Sequence, residues 1–127
     1  QAAPGTQVHR SWPGLGSQIA EAAAVISMGG YNTVCEILAT DTPALVVPRE
    51  TPRLEQLIRA EALRDARALD VMRTPQVTAE TLGAWAAGAV TRRVDRSHIS
   101  RDGLAATADF AADLLGDANP DAQEVVA

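Results

Sequence analysis

Ser27-Met28-Gly29-Gly30-Tyr31-Asn32-Thr33-Val34-Cys35-Glu36 is the stretch that decides the fold. Just before it, Val25-Ile26 forms a short apolar run that stops at two glycines. Beyond them, Val34, Ile37 and Leu38 recur at helical spacing. The order is strand, glycine turn, helix. Glycine permits positive φ and lets a ligand approach the backbone closely. A helix that starts there offers unpaired N–H groups and about half a positive charge, which favours a diphosphate. Glu36 stands three residues after Thr33 on the same helix face, with Val34, Ile37 and Leu38 turned toward the sheet. Asn32 and Thr33 are residue types that cap helices, and the Thr33 hydroxyl could also meet a phosphate.

The pattern then repeats. Asp41-Thr42-Pro43 is a turn, Ala44–Val47 a second buried strand, and Pro48–Pro52 a loop leading to a helix over Leu54–Arg67. Arg49, Arg53, Glu55 and Gln56 belong to this loop and helix start. The two arginines suit a phosphate, an acidic acceptor or plain solvation. Glu55 and Gln56 suit sugar hydroxyls, because both accept hydrogen bonds and Gln also donates. Working outward, Thr6–His9 reads as a short strand, Ser17–Ala24 as a helix, and Ala68–Met72 as a last short strand. Thr78 caps a helix to about Val90, and Asp102-Gly103 opens a helix to Leu115. From Gly116 the chain reads as a frayed tail.

Strands of about four residues alternating with helices predict a parallel sheet with helices on both faces. Ligands of such sheets bind outside the carboxyl ends of the strands, where Gly29-Gly30 and Pro48-Arg49 both lie. Only three or four strands are available, against about six in a complete doubly wound domain, so a fragment or one half of a larger protein is expected.

Composition narrows the function. With 127 residues, 46% of them hydrophobic, the chain can build a core rather than stay disordered. A net charge of −5 argues against a nucleic-acid partner, which needs a basic footprint. All 11 cations are Arg, so no Walker lysine exists and a P-loop is excluded. Cys35 is the only cysteine, which rules out an internal disulfide and suits a reducing compartment. It reads as a packing residue within a helix. His9 and His98 show no ligand spacing with it, so no metal site is expected. Trp85 and Phe110 read as core, and Arg92, Arg93 and Arg96 as a solvated cluster. No apolar run approaches the roughly 20 residues of a membrane span, and the first residues carry no signal pattern. The expected location is cytoplasmic, with peripheral membrane contact left open.

Gly29-Gly30-Tyr31-Asn32-Thr33-x-x-Glu36, Pro43-x-x-x-x-Pro48 and Gln56 together resemble the donor-binding motif of GT-B glycosyltransferases. The spacing from Pro48 to Gln56 is similar to that of the bacterial family 28 branch. The fuller strings Met28–Leu38, Pro43–Arg49 and Glu55–Ala60 look closest to its "predicted glycosyltransferase" group. The resemblance is strong over residues 25–63 and loose over residues 8–24 and 102–115.

It implies a Rossmann-like domain, the C-terminal half of a GT-B fold, over residues 1–116, with 117–127 as a flexible tail. It implies a donor site of Gly29, Gly30, Tyr31, Asn32, Thr33, Glu36, Arg49, Glu55 and Gln56. Glu36 would bind the ribose, Thr33 and the Gly30–Asn32 backbone the diphosphate, and Gln56 with Glu55 the sugar. The base would lie near His9–Trp12. The partner is a nucleoside-diphosphate sugar, with UDP expected, and no cofactor or metal is implied. The catalytic base would come from an N-terminal acceptor domain, and a glycine-rich loop at the start of the donor domain would also lie outside the chain. This chain alone would then bind donor weakly and would not turn over. Met28 departs from the related plant-type motif, which has a histidine near the phosphates; helix N–H groups or Arg49 would have to compensate. The implied reaction is inverting hexosyl or N-acetylhexosaminyl transfer. Two alternatives stand beside it: a sugar-nucleotide epimerase or hydrolase of similar fold, and a non-catalytic docking module.

Overall fold

A computed structural model of the chain describes residues 4–99. The expected helix over residues 102–115, the placement of Phe110 and the expected tail lie outside these residues.

Among the described residues four helices and three strands alternate: α1 (Leu15–Glu21), β1 (Val25–Ser27), α2 (Tyr31–Leu38), β2 (Ala44–Val46), α3 (Glu55–Asp65), β3 (Asp70–Val71) and α4 (Ala79–Ala89). A short 3-10 turn at Thr74–Gln76 precedes α4. The strands are parallel, in the order β1-β2-β3. Val25 lies opposite Ala44, Ser27 opposite Val46, and Val46 opposite Val71. The class is therefore α/β and Rossmann-like, as the alternation predicts.

The core forms where helical and strand periods meet. Val34 and Ile37 are three apart on α2, and Ala60 and Leu63 three apart on α3. They close on β2, whose three residues are all buried, as in a strand covered on both faces. Ile19 of α1 and the Ala68-Leu69 pair before β3 complete the cluster.

Several expectations need correction. Residues 6–9 form no strand, since no strand among the described residues pairs with them, and Val8 is 80% exposed. β1 is a strand but not a buried one. Alternation sends Val25 and Ser27 to one face and Ile26 to the other, where it is 47% exposed on the edge of the described sheet. Trp85 is half-buried rather than core; its indole N–H donates to Asp70 Oδ2 at 2.8 Å. Arg96 is not solvated. It is only 6% exposed, donating to the carbonyls of Ala68 at 2.7 Å and Thr40 at 2.9 Å. Burial pushes its pKa down, opposed by the charges of Asp41 and Asp70. Cys35 is half-buried and packs against the core, in keeping with a packing role. Among the described residues no helix is long and apolar enough to cross a membrane.

Candidate functional site

The turn between β1 and α2 is held from both sides. Gly29 has φ of +81°, and a Cβ there would sit 2.6 Å from Val46 Cγ1, inside the core. Its N–H donates to Ser27 Oγ at 3.0 Å. Gly30 differs. Its φ is −58° and a Cβ there would meet nothing within 4 Å, so this residue faces open space. Only the first glycine is required by conformation; a side chain at the second would project into open space.

Gly30 is the N-cap of α2, with no side-chain cap. Asn32 and Thr33 thus fall inside the first turn and do not cap it, because the glycine turn starts the helix two residues earlier. The first helical bond runs from Val34 N–H to the Gly30 carbonyl at 3.0 Å. No hydrogen bond among the described residues occupies the N–H groups of Gly30, Tyr31, Asn32 and Thr33. They form a set of donors at the positive end of a helix dipole, at the carboxyl end of a parallel strand.

Glu36 lies one turn further on, half-buried, where α2 packs on α1. Its Cγ and Cδ come within 3.8 Å of the point a Gly16 Cβ would occupy. The carboxylate has no hydrogen bond or ion pair among the described residues. The His9 and Trp12 rings, 4.2 Å apart between centroids, are both exposed in the segment that leads into α1.

On the other side of the turn, Tyr31, Arg49, Arg53, Glu55, Gln56 and Arg59 line a cleft of about 270 Å³. Gln56 Oε1 accepts from the Arg49 backbone N–H at 3.1 Å. That bond fixes the amide, so its NH₂ remains as the donor. Glu55 Oε1 is held by Arg59 Nη2 at 2.8 Å, which leaves Oε2 as an acceptor. A donor and an acceptor side by side can pair with neighbouring hydroxyls. The loop above is tied down by Glu50, which accepts from Arg73 Nε at 2.7 Å and Nη2 at 2.9 Å. The Arg73 hydrogen bonds hold the Glu50 carboxyl below its usual range, and the pairing raises Arg73 in turn.

The structure thus gathers Tyr31, Arg49, Glu55 and Gln56 around one cleft, beside the open N–H groups of Gly30 to Thr33. Glu36 stands apart, on the α1 side of the same helix. Sequence reasoning missed Arg59, which is 2% exposed and has its guanidinium 5.3 Å from the Tyr31 ring centroid. Its signal was present: Arg59 follows Glu55 by four residues, the spacing of a helical ion pair. Among the described residues no three His, Cys, Asp or Glu side chains converge.

A parallel α/β sheet with open N–H groups at one strand end, a carboxylate one turn on and a polar cleft beside them defines a Rossmann-like domain. Residues 12–89 match the glycosyltransferase family 28 C-terminal domain, and the chain belongs to that family. It is similar to a UDP-N-acetylglucosamine–N-acetylmuramyl-(pentapeptide) pyrophosphoryl-undecaprenol N-acetylglucosamine transferase of Salmonella dublin, 32% identical over 87 residues. The match covers 65% of this chain and 24% of that protein.

Proposed function

We propose that this chain is the donor-binding part of a glycosyltransferase that uses a nucleoside-diphosphate sugar, with uridine as the base. The observation that carries the proposal is the array at the carboxyl end of β1 and β2. A carboxylate, four N–H groups and a donor–acceptor pair, with no other partner for the first two among the described residues, stand in the order that ribose, diphosphate and sugar would need. Family membership supports glycosyl transfer, and the Salmonella relative's name gives UDP-N-acetylglucosamine as its donor.

The diphosphate lies on the N–H groups of Gly30 to Thr33, with the Thr33 hydroxyl beside it. Glu36 accepts from the ribose hydroxyls, and the base extends toward Trp12. Gln56 donates to, and Glu55 accepts from, the hydroxyls of the transferred hexose or N-acetylhexosamine. In the transfer step an acceptor hydroxyl attacks the anomeric carbon from the face opposite the diphosphate. The carbon–oxygen bond to the β-phosphate breaks with inversion, and a base outside the residues named takes the hydroxyl proton. Charge building on the leaving diphosphate is met by helix N–H groups and by Arg49, so this chain contributes positioning and electrostatic stabilisation without a metal. The reaction belongs at the cytoplasmic side of the cell, with membrane contact if the acceptor is lipid-linked.

An amide-resolved NMR titration with uridine, guanosine, thymidine and cytidine diphosphates tests this. Shifts confined to residues 29–36 and 48–56, with uridine diphosphate preferred, are expected. A folded spectrum that none of them perturbs overturns the proposal. Glu36→Ala should weaken binding by about 2–4 kcal/mol, the scale of one or two hydrogen bonds to a charged group. Unchanged affinity would remove Glu36 from the ribose.

A further inference from the structure

Arg59 joins three segments at the cleft. Its Nη2 holds Glu55 at 2.8 Å, its Nη1 reaches the Gly29 carbonyl at 3.4 Å, and its guanidinium lies over the Tyr31 ring. Three segments thus meet on one planar group: the glycine turn, the first residue of α2 and the first turn of α3. The side chain is 3% exposed, whereas Glu55 is 45% exposed and faces the cleft. Nε is buried and has no hydrogen-bond partner among the described residues.

Such a residue is a poor choice for stability alone. Burying a guanidinium costs desolvation that a single half-exposed carboxylate repays only in part, and an apolar side chain of similar volume would often do as well. The unsatisfied Nε adds to that cost. The return is geometric. Held by Arg59, the Glu55 carboxylate keeps one oxygen on the guanidinium and the other on the cleft. Its charge is also balanced beside a ligand that carries a diphosphate. Without Arg59 the carboxylate would be free to turn and would repel that diphosphate.

We infer that Arg59 is a positioning residue for the sugar end of the donor. It fixes Glu55 for a sugar hydroxyl and joins it to the turn that receives the diphosphate. This rests on the donor-site reading above. Lysine cannot replace it: an ammonium is a point charge and lacks the planar fork that reaches two acceptors in fixed directions.

The test measures binding of two probes, uridine diphosphate and UDP-N-acetylglucosamine, to the 127-residue chain and its variants. Arg59→Lys keeps the charge. It should leave uridine diphosphate within about twofold while weakening the sugar nucleotide about tenfold, the loss of one oriented hydrogen bond. Glu55→Gln should shift the same ratio, and the double variant should add little to either single one, because both act on one contact. A merely structural role would weaken both probes equally and leave the ratio where it began. That result, or additive effects of the two changes, overturns the inference. Should Arg59→Lys fail to fold, Glu55→Gln alone decides: its half-exposed site tolerates the change, and an unmoved ratio overturns the inference. If the unchanged chain binds uridine diphosphate but not the sugar nucleotide, the inference fails while the nucleotide site stands. If it binds neither, both fail.

Discussion

The two ends of the sheet use the same residue types in opposite ways. At the amino ends of the strands, a cavity of about 540 Å³ is lined by Arg64, Arg67, Arg92, Arg93, Asp70 and Asp95 among others. It is twice the size of the cleft at the carboxyl ends, yet its polar groups are largely engaged by the protein. Arg92 pairs with Asp70, which also accepts from Trp85; Arg93 donates to the Ala22 carbonyl; the His98 ring bonds the Ala66 carbonyl at 2.7 Å. At the carboxyl ends, by contrast, Arg49, Arg53 and Glu36 make no ion pair among the described residues, and a whole helix turn of N–H groups is open. Cavity size is the poorer guide. Polar groups that answer one another hold a fold together, whereas polar groups left facing a concave surface are available to a ligand.

That contrast can be broken most forcefully at Gly29, a residue of the ligand end that belongs energetically to the core. Gly29→Ala forces a non-glycine residue to φ of +81° and drives a methyl to within 2.6 Å of a β-branched side chain that is fully buried. Strain and overpacking together should cost about 3–5 kcal/mol, read as a lower urea midpoint at unchanged slope. A loss under about 1 kcal/mol would mean that the turn relaxes and that the described close packing is not what selects glycine. Next in size is Arg96→Ala, at the other end. Two carbonyls, 28 and 56 residues away in sequence, lose their shared donor, and about 3 kcal/mol of stability should go with it. The nucleotide-induced NMR shifts should stay where they were. If Arg96→Ala moved them instead, the two ends would not be separable.

Gly30→Ala sharpens the comparison from the ligand side. The added methyl touches nothing and the backbone is already at negative φ, so stability should rise or fall by less than about 1 kcal/mol. Diphosphate affinity should nonetheless drop about tenfold, because the methyl takes space in front of the N–H groups. Neighbouring glycines would then divide the labour: one for the fold, one for the ligand. Equal affinity in the variant would move the diphosphate away from the turn.

What the sequence disclosed depends on how far each signal reaches. β2, α3 and α4 fall within a residue or two of their expected spans because their periodicity is local. Thr78 caps α4 as read, its Oγ1 accepting from Thr81 N–H at 3.0 Å. Two misses are local: α1 runs two to three residues earlier than the expected 17–24, and the glycine turn, not Asn32 or Thr33, caps α2. The others are matters of what lies opposite. Residues 6–9 have strand-like composition but no partner. Ile26 is apolar but stands at an edge. Arg96 looks like its neighbours Arg92 and Arg93 until the chain folds and brings it the carbonyls of Ala68 and Thr40. Of the site, the glycine turn, Glu36 and the Glu55-Gln56 pair were legible from order and spacing. Arg59 offered only its spacing from Glu55, because its contacts with Gly29 and Tyr31, about 30 residues upstream, form only when the chain folds.

The smallest expected effect compares one carboxylate from each end. Glu50, in the loop over the cleft, is lowered chiefly by the Arg73 hydrogen bonds and further by the Arg73 charge, against a desolvation push upward. Asp95, near the far cavity, is lowered chiefly by hydrogen bonds from Ser97, whose backbone N–H donates at 2.9 Å. Both folded values lie below the unfolded ones, so both groups add stability above the ordinary carboxylate range and lose it as pH falls through the folded values. They part in their response to salt. The Glu50–Arg73 pair is exposed and ionic, so about 1 M salt should carry the Glu50 midpoint back toward its ordinary value. Asp95 is held mainly by a neutral donor and should move much less. Carboxyl NMR titrations at low and high salt read both midpoints at once. Equal salt shifts would show that Glu50 is held by hydrogen-bond geometry rather than by charge. The loop over the cleft would then be fixed as firmly as the far end, and the contrast between an engaged end and an open one would narrow to the ligand-facing groups alone.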